Sequence, residues 1–150
     1  MIEQIKLLTA GILLFRAMYT DVKEGRIENS LIAAGLVCGI LLAAIRDGPQ
    51  GIRRSIEMSV IVCMALFFLF VLKGLGAGDI KLFCVLAAFF PNQITGIIAV
   101  SFFAGGAWAL GKMLWRKIRG QVLYIRHETM NFSIPIFIGT VLVLFKDHWG

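Results

Sequence analysis

Residues 56–72 read IEMSVIVCMALFFLFVL, and the only charged side chain among them, Glu57, lies next to the beginning. A helix on the surface of a soluble protein keeps one polar face, whereas this stretch would be apolar on nearly every side. Its length falls within the roughly 17–25 residues that cross the hydrocarbon core of a bilayer. The stretch therefore predicts a membrane-spanning helix.

Five further apolar stretches lie on either side of this one. The six predicted spans are residues 5–19, 30–45, 56–72, 78–90, 93–115 and 132–145. The second, fourth and sixth are short, so each must borrow flanking residues, thin the bilayer or end inside the protein. Turn-forming residues fill the gaps at 46–51 and 91–93, which predicts reversals there.

The composition supports this interpretation, because 59% of the residues are hydrophobic and only 16% are charged. About a third of the chain remains for connections, which leaves no room for a separate soluble domain. We therefore expect residues 1–150 to form a single transmembrane domain of the all-α class, a polytopic bundle of about six membrane helices. The first span fits a retained helix better than a cleaved signal peptide.

The net charge of +6 would suggest a nucleic-acid partner in a soluble protein. Here the basic residues cluster between the apolar stretches, as in loops that face anionic lipid, so we expect the lipid bilayer as a partner and no nucleic acid. Eight Lys and Arg fall on one side of the membrane (Lys23, Arg26, Lys73, Lys81, Arg116, Lys117, Arg119 and Arg126) and five on the other (Lys6, Arg46, Arg53, Arg54 and Lys146). This bias predicts cytoplasmic first, third and fifth connections. The longest, 116–130, either lies along the headgroups or forms a solvated loop.

The three cysteines, Cys38, Cys63 and Cys84, are an odd number and form no CxxC pair. Such a pattern indicates neither a disulfide framework nor a zinc site. We accordingly predict no metal and no cofactor.

Two acids stand out among the nine in the chain, because each lies at the edge of an apolar span. Asp21 closes the first span and Asp79 opens the fourth. An acid at such an edge usually marks only where a helix leaves the lipid. Two crossings, the second and third spans, separate these two, however, so the topology places both carboxyl groups at the same face of the membrane, which the charge bias makes the cytoplasmic one.

Two carboxyl groups that meet across a wet cleft cannot both ionise easily and come to share one proton. One can then take a proton from water while the other polarises a scissile carbonyl, which is the chemistry of an aspartic peptidase. Gly76 and Gly78 precede Asp79 and would allow a sharp turn and a close approach of substrate; the alternative is a flexible turn or a close helix contact. Arg16, one turn before Asp21, either reaches the membrane surface or pairs with a catalytic carboxylate.

At these residues the sequence resembles the type IV prepilin peptidase family, membrane aspartic peptidases with a Gly-x-Gly-Asp motif. The stretch Gly76-Ala77-Gly78-Asp79-Ile80-Lys81 is similar to the second catalytic motif of that family. Asp21, followed by Gly25-Arg26-Ile27-Glu28-Asn29, is similar to the first, with Glu28 where the family usually has proline. Pro135, in a stretch that reads Ser-Ile-Pro-Ile-Phe, is similar to a late Pro-Phe segment. The resemblance implies Asp21 and Asp79 as catalytic residues, with Gly76, Gly78, Lys81, Asn29 and Pro135 as motif support.

The resemblance further implies an endopeptidase that cleaves the leader of prepilin or pseudopilin precursors. It would be a multi-pass protein of the bacterial or archaeal inner (cytoplasmic) membrane, with its active site facing the cytoplasm. The precursor's apolar helix would pack between the spans, and acids such as Glu24 and Glu28 would face its basic leader. Because the chain lacks a cytoplasmic insert with paired cysteines, it resembles the compact six-helix subgroup linked to tight-adherence (Flp-type) pili. The oligomeric state is not predicted.

Two other classes of function use the same residues. A small proton- or cation-coupled transporter would employ intramembrane acids as relays, but the spans show neither deeper acids nor inverted halves. A silent scaffold subunit of a secretion machine would leave both aspartates without a role. Replacement of either aspartate by asparagine separates these classes, because only the peptidase loses cleavage.

Overall fold

The computed structural model describes residues 1–118 and 132–149, in which the chain forms five α-helices and no strand. They are α1 (Ile2–Glu24), α2 (Asn29–Val71), α3 (Ala77–Phe89), α4 (Ile94–Ile118) and α5 (Ser133–Trp149). The predicted all-α class is confirmed. Most of the predicted basic connection at 116–130 lies outside the described residues.

Helix α2 contains both the second and the third predicted span. Its 43 residues would reach about 65 Å if they were straight, more than twice the thickness of a hydrocarbon core. The helix instead bends at Gly48, whose φ of 63° and ψ of −145° are not helical, and Pro49 follows directly. The expected turn over residues 46–51 is thus wrong in extent: one glycine in a conformation that L side chains rarely adopt makes the reversal, and proline restarts the helix at a position where its missing N–H is tolerated.

The two arms of α2 pack against the same stretch of α3. On the first arm, a Cβ atom on Gly35 would come within 2.8 Å of Val85, and one on Gly39 would come within 2.9 Å of the Phe89 ring. On the second arm, Ser55 donates a hydrogen bond of 2.9 Å to the carbonyl oxygen of Ala88, and Ser59 donates one of the same length to that of Cys84. The first arm therefore runs parallel to α3 and the second runs antiparallel to it.

Helix α3 forms the centre of the protein. Ten of its 13 residues are buried, from Asp79 to Phe89. Its length of about 20 Å is too short to cross a bilayer unaided. The predicted fourth span is short because neighbouring helices, rather than lipid, surround it.

Helices α4 and α5 pack as an antiparallel pair beside this centre. A Cβ atom on Gly139 would lie 2.3 Å from the Ser101 hydroxyl, and one on Gly105 would lie 2.5 Å from the Phe132 ring. Small residues allow the two backbones to approach this closely. By length and composition, α2 and the Ile94–Trp115 part of α4 could cross a membrane, and Ser133–Lys146 of α5 is a shorter apolar helix.

The bundle has two distinct ends. At one end, Arg46 donates a hydrogen bond to Glu3, and the Lys6 ammonium lies 5.0 Å from the centre of the Phe90 ring. The C-terminus of α1 and the N-termini of α2, α3 and α5 lie at the other end. Both aspartates singled out in the sequence are found there.

We predict that Gly51→Ala weakens the fold. A Cβ atom at this position would lie 2.2 Å from the carbonyl oxygen of Ala43, across the bend of α2. The backbone must shift to relieve that clash, and this shift should lower the free energy of unfolding by about 1–3 kcal/mol. Thermal unfolding in detergent would measure the loss. Gly106→Ala is the control, because a Cβ atom there meets nothing within 4 Å; equal melting temperatures for the two variants would contradict the bend.

Candidate active site

Asp21 lies in the last turn of α1, eight residues before α2 begins at Asn29. Gly25 ends α1 with a φ of 66° and donates its backbone N–H to the Asp21 carbonyl oxygen over 2.9 Å. This left-handed residue is the usual C-terminal cap of a helix. The helix therefore continues to Glu24, beyond the apolar stretch that predicted an end at residue 19, and Asp21 is held in regular helix and only partly exposed.

Asp79 lies in the first turn of α3 and is 8% exposed. Its carboxylate accepts a hydrogen bond from the backbone N–H of Gly76, the residue that caps the helix. An acidic side chain three residues into a helix that binds the capping residue's N–H satisfies one of the free donors at the helix start. The positive end of the helix dipole stabilises negative charge at the same place.

The two glycines of the Gly-x-Gly-Asp motif have different surroundings. A Cβ atom on Gly76 would lie 2.9 Å from Oδ2 of Asp79, whereas one on Gly78 would make ordinary contacts of 3.6 Å with Ile27. Gly76 therefore leaves room for the bent-back carboxylate. Gly78 lies beside Ile27, in the segment that follows α1, with room for a methyl group.

The carboxyl groups of Asp21 and Asp79 lie close enough for the charge of Asp21 to act on Asp79. A third helix reaches the same place, because the Ser133 hydroxyl in the first turn of α5 donates a hydrogen bond of 2.5 Å to Oδ2 of Asp21. Ser133 is 1% exposed, so protein encloses its hydroxyl. The hydrogen bond therefore restrains the Asp21 carboxylate on that side. Ser133 is the serine of the Ser-Ile-Pro-Ile-Phe stretch, and no pattern in the sequence predicted a role for it.

The segments that resemble the two family motifs pack against each other. Besides the contact between Ile27 and Gly78, the Lys81 ammonium donates a hydrogen bond of 2.9 Å to Oδ1 of Asn29. Glu28 caps the start of α2 with a φ of −64°, the value that a proline ring imposes. Glutamate at this position thus keeps the backbone conformation that the family's proline would have.

Other residues named from the sequence lie apart from the two carboxylates. Arg16 is exposed on α1, and among the described residues it forms no ion pair with either aspartate, so it does not hold their charge. Pro135 is buried in the first turn of α5, where proline is compatible with a helix. Within residues 1–118 and 132–149, no three His, Cys, Asp or Glu side chains cluster as a metal site would require.

Comparison with known proteins identifies a peptidase family. Residues 8–110 match the type IV leader peptidase family. The chain is also 28% identical, over 127 residues, to the prepilin peptidase EppA of Methanocaldococcus jannaschii. That match covers 76% of this chain but 36% of the relative, so the chain spans about a third of the relative's length. No solved structure matches significantly.

We predict that cysteines replacing the two aspartates can be joined. In a chain whose native cysteines are replaced by alanine, a short bis-maleimide should link Asp21→Cys to Asp79→Cys, and mass spectrometry of proteolytic fragments would detect the link. The control pair is Asp21→Cys with Asn92→Cys, since Asn92 lines the pocket at the other end of the bundle. Equal linking of both pairs would contradict the proximity of the carboxyl groups.

Proposed function

Because the chain belongs to the type IV leader peptidase family, we propose that it is an aspartic endopeptidase of the Gly-x-Gly-Asp type that removes the leader from prepilin-like precursors. The observation that carries this proposal is the location of Asp21 and Asp79 at one end of the bundle, within range for the charge of one to act on the other. These acids come from different helices and converge at a site bounded by a third. The family match also favours a peptidase over a transporter or a scaffold.

In the proposed mechanism the two carboxyl groups hold one proton between them. The ionised carboxylate takes a proton from a water molecule as the water attacks the scissile carbonyl carbon, and the protonated one donates a hydrogen bond to the carbonyl oxygen. The tetrahedral intermediate then breaks its C–N bond, and the leaving amine takes a proton from the carboxyl group that had received one from water. The cleaved peptide departs with the carboxyl pair returned to its starting state.

The surroundings of the carboxyl groups suit this chemistry. The hydrogen bonds from Ser133 to Asp21 and from the Gly76 backbone to Asp79 hold both side chains in place, so little reorganisation is needed when the reaction starts. The contact between Lys81 and Asn29 ties the start of α2 to α3 and fixes the separation of the two motifs. Lys81 and Asn29 are thus positioning residues in this proposal.

We further propose that residues 1–150 form a single transmembrane domain with six spans, the two arms of α2 being separate crossings. The ends of α1, α3 and α5 that carry the site would then face the cytoplasm, as the distribution of Lys and Arg predicts.

An impermeant maleimide should therefore modify Asp21→Cys and Asp79→Cys from the cytoplasmic side. Modification of the two from opposite sides would contradict this topology.

The central test is the replacement of each aspartate by asparagine. Either Asp21→Asn or Asp79→Asn should reduce cleavage of a prepilin-like precursor in detergent by about 10²–10⁴-fold or more, because each removes a group that transfers or holds a proton. Loss of the leader can be followed by mass spectrometry. Asp47→Asn is the matched control, since this carboxylate is exposed at the other end of the bundle; cleavage that persists in both site variants would refute the proposal.

The two motif glycines should differ in their tolerance of a methyl group. Gly76→Ala should lower kcat at least tenfold, because its Cβ atom would displace the Asp79 carboxylate that lies 2.9 Å away. Gly78→Ala should stay within a few-fold of the unaltered protein, because its Cβ contacts are of ordinary length. Thermal unfolding would separate loss of fold from loss of activity, and equal loss of kcat in both variants would argue against this role for Gly76.

A further inference from the structure

An apolar groove of about 470 Å³ runs between α1 and α5 on the outside of the bundle. Its floor contains Ala10, Leu14 and Thr140, and its rim contains Phe15, Val141 and Phe145. The Thr140 hydroxyl donates a hydrogen bond of 2.8 Å to the carbonyl oxygen of Ile136 within its own helix. The groove therefore offers apolar contacts and leaves no free hydroxyl on its floor to select a polar ligand.

Gly11 gives the groove room for a second backbone. A Cβ atom there would meet nothing within 4 Å, and Ala10 beside it is also small. Small residues on a membrane helix allow another helix to approach closely. Lipid chains need no such opening, so this feature favours a helix over lipid as the occupant.

The groove leads toward the two carboxyl groups. Asp21 follows Phe15 by six residues on α1, a rise of about 9 Å, and Ser133 precedes Phe137 of the groove by four residues on α5, a rise of about 6 Å. At its other end the groove reaches Leu7 and Leu144. A peptide leaving the carboxyl groups along the bundle would thus enter the groove within about three residues if extended, or six if helical.

We propose that the groove between α1 and α5 binds the apolar helix that follows the scissile bond of the precursor. This inference rests on the proposed function and names the surface that recognises its substrate. The bound helix would run in the direction of α5 and antiparallel to α1, with its N-terminal end at the carboxyl groups. Its leader would remain beyond the end of the bundle, outside the groove.

A side chain that fills the groove tests this. Gly11→Leu adds bulk into open space, so the fold should tolerate it, while the helix of the precursor loses its place. Using a precursor that the unaltered chain cleaves, we expect kcat/KM to fall at least tenfold, mainly through a higher KM. Gly106→Leu is the matched control, because Gly106 also has nothing within 4 Å of its Cβ position and lies on α4, outside the groove.

Cross-linking tests the same surface without relying on turnover. In a cysteine-free Asp79→Asn chain, Gly11→Cys should form a disulfide with a single cysteine placed in the apolar helix of the precursor, and Gly106→Cys should not. Unchanged kcat/KM in Gly11→Leu, or cross-links at Gly106→Cys alone, would overturn the inference. Links between two copies of the chain through Gly11→Cys, formed without precursor and undisturbed by it, would also overturn it and assign the groove to a second copy.

The two proposals fail in different ways. If the aspartate variants lose cleavage while Gly11→Leu retains it, the peptidase assignment stands and the groove is not the recognition surface. If cleavage persists in both aspartate variants, the peptidase mechanism itself is wrong.

Discussion

The burial of α3 on every side is the constraint from which the rest of the fold follows. From Leu82 to Phe89 this helix is apolar around its whole circumference and every residue is buried, so it requires protein contacts in all directions. The two arms of α2 supply much of that cover, with Gly39 and Ser55 allowing close approach, and α2 can do so only because Gly48 reverses its direction. The same packing fixes the first turn of α3 and hence the location of Asp79.

Much of the fold could be predicted from hydropathy and turn chemistry, because the apolar stretches mark the helices and Gly48-Pro49 marks a reversal. The ends of the helices and the length of the reversal were less predictable. Helix α1 continues through polar residues to Glu24, since a helix that leaves the lipid needs no further apolar residues and ends only where Gly25 adopts the left-handed conformation. Only Gly48 leaves the helical conformation at the bend in α2, because glycine readily adopts its positive φ. The composition of residues 46–51 does not show how many of these turn-forming residues leave the helix.

The location of both aspartates at one end of the bundle could be predicted, because the parity of crossings places them at the same face. Ser133 could not. A serine near the start of an apolar stretch carries no signal of its own, and its position depends on how α5 fits against α4 through Gly139 and Ser101. It also lies beyond residue 110, where the family match ends. The roles of Gly76 and Gly78 likewise differ only once the direction of the Asp79 side chain is known.

The hydrogen bond between Ser133 and Asp21 joins residues 112 positions apart, and this separation has a consequence for biosynthesis. A growing chain acquires Asp21 first and Asp79 later, yet the hydroxyl that restrains Asp21 is made only with α5, the last of the helices in the described residues. Translation therefore completes both acids well before it completes their enclosure. Until α5 packs against α1, the nascent chain carries both acids without the hydroxyl that restrains one of them, so assembly of this arrangement waits for the synthesis of α5.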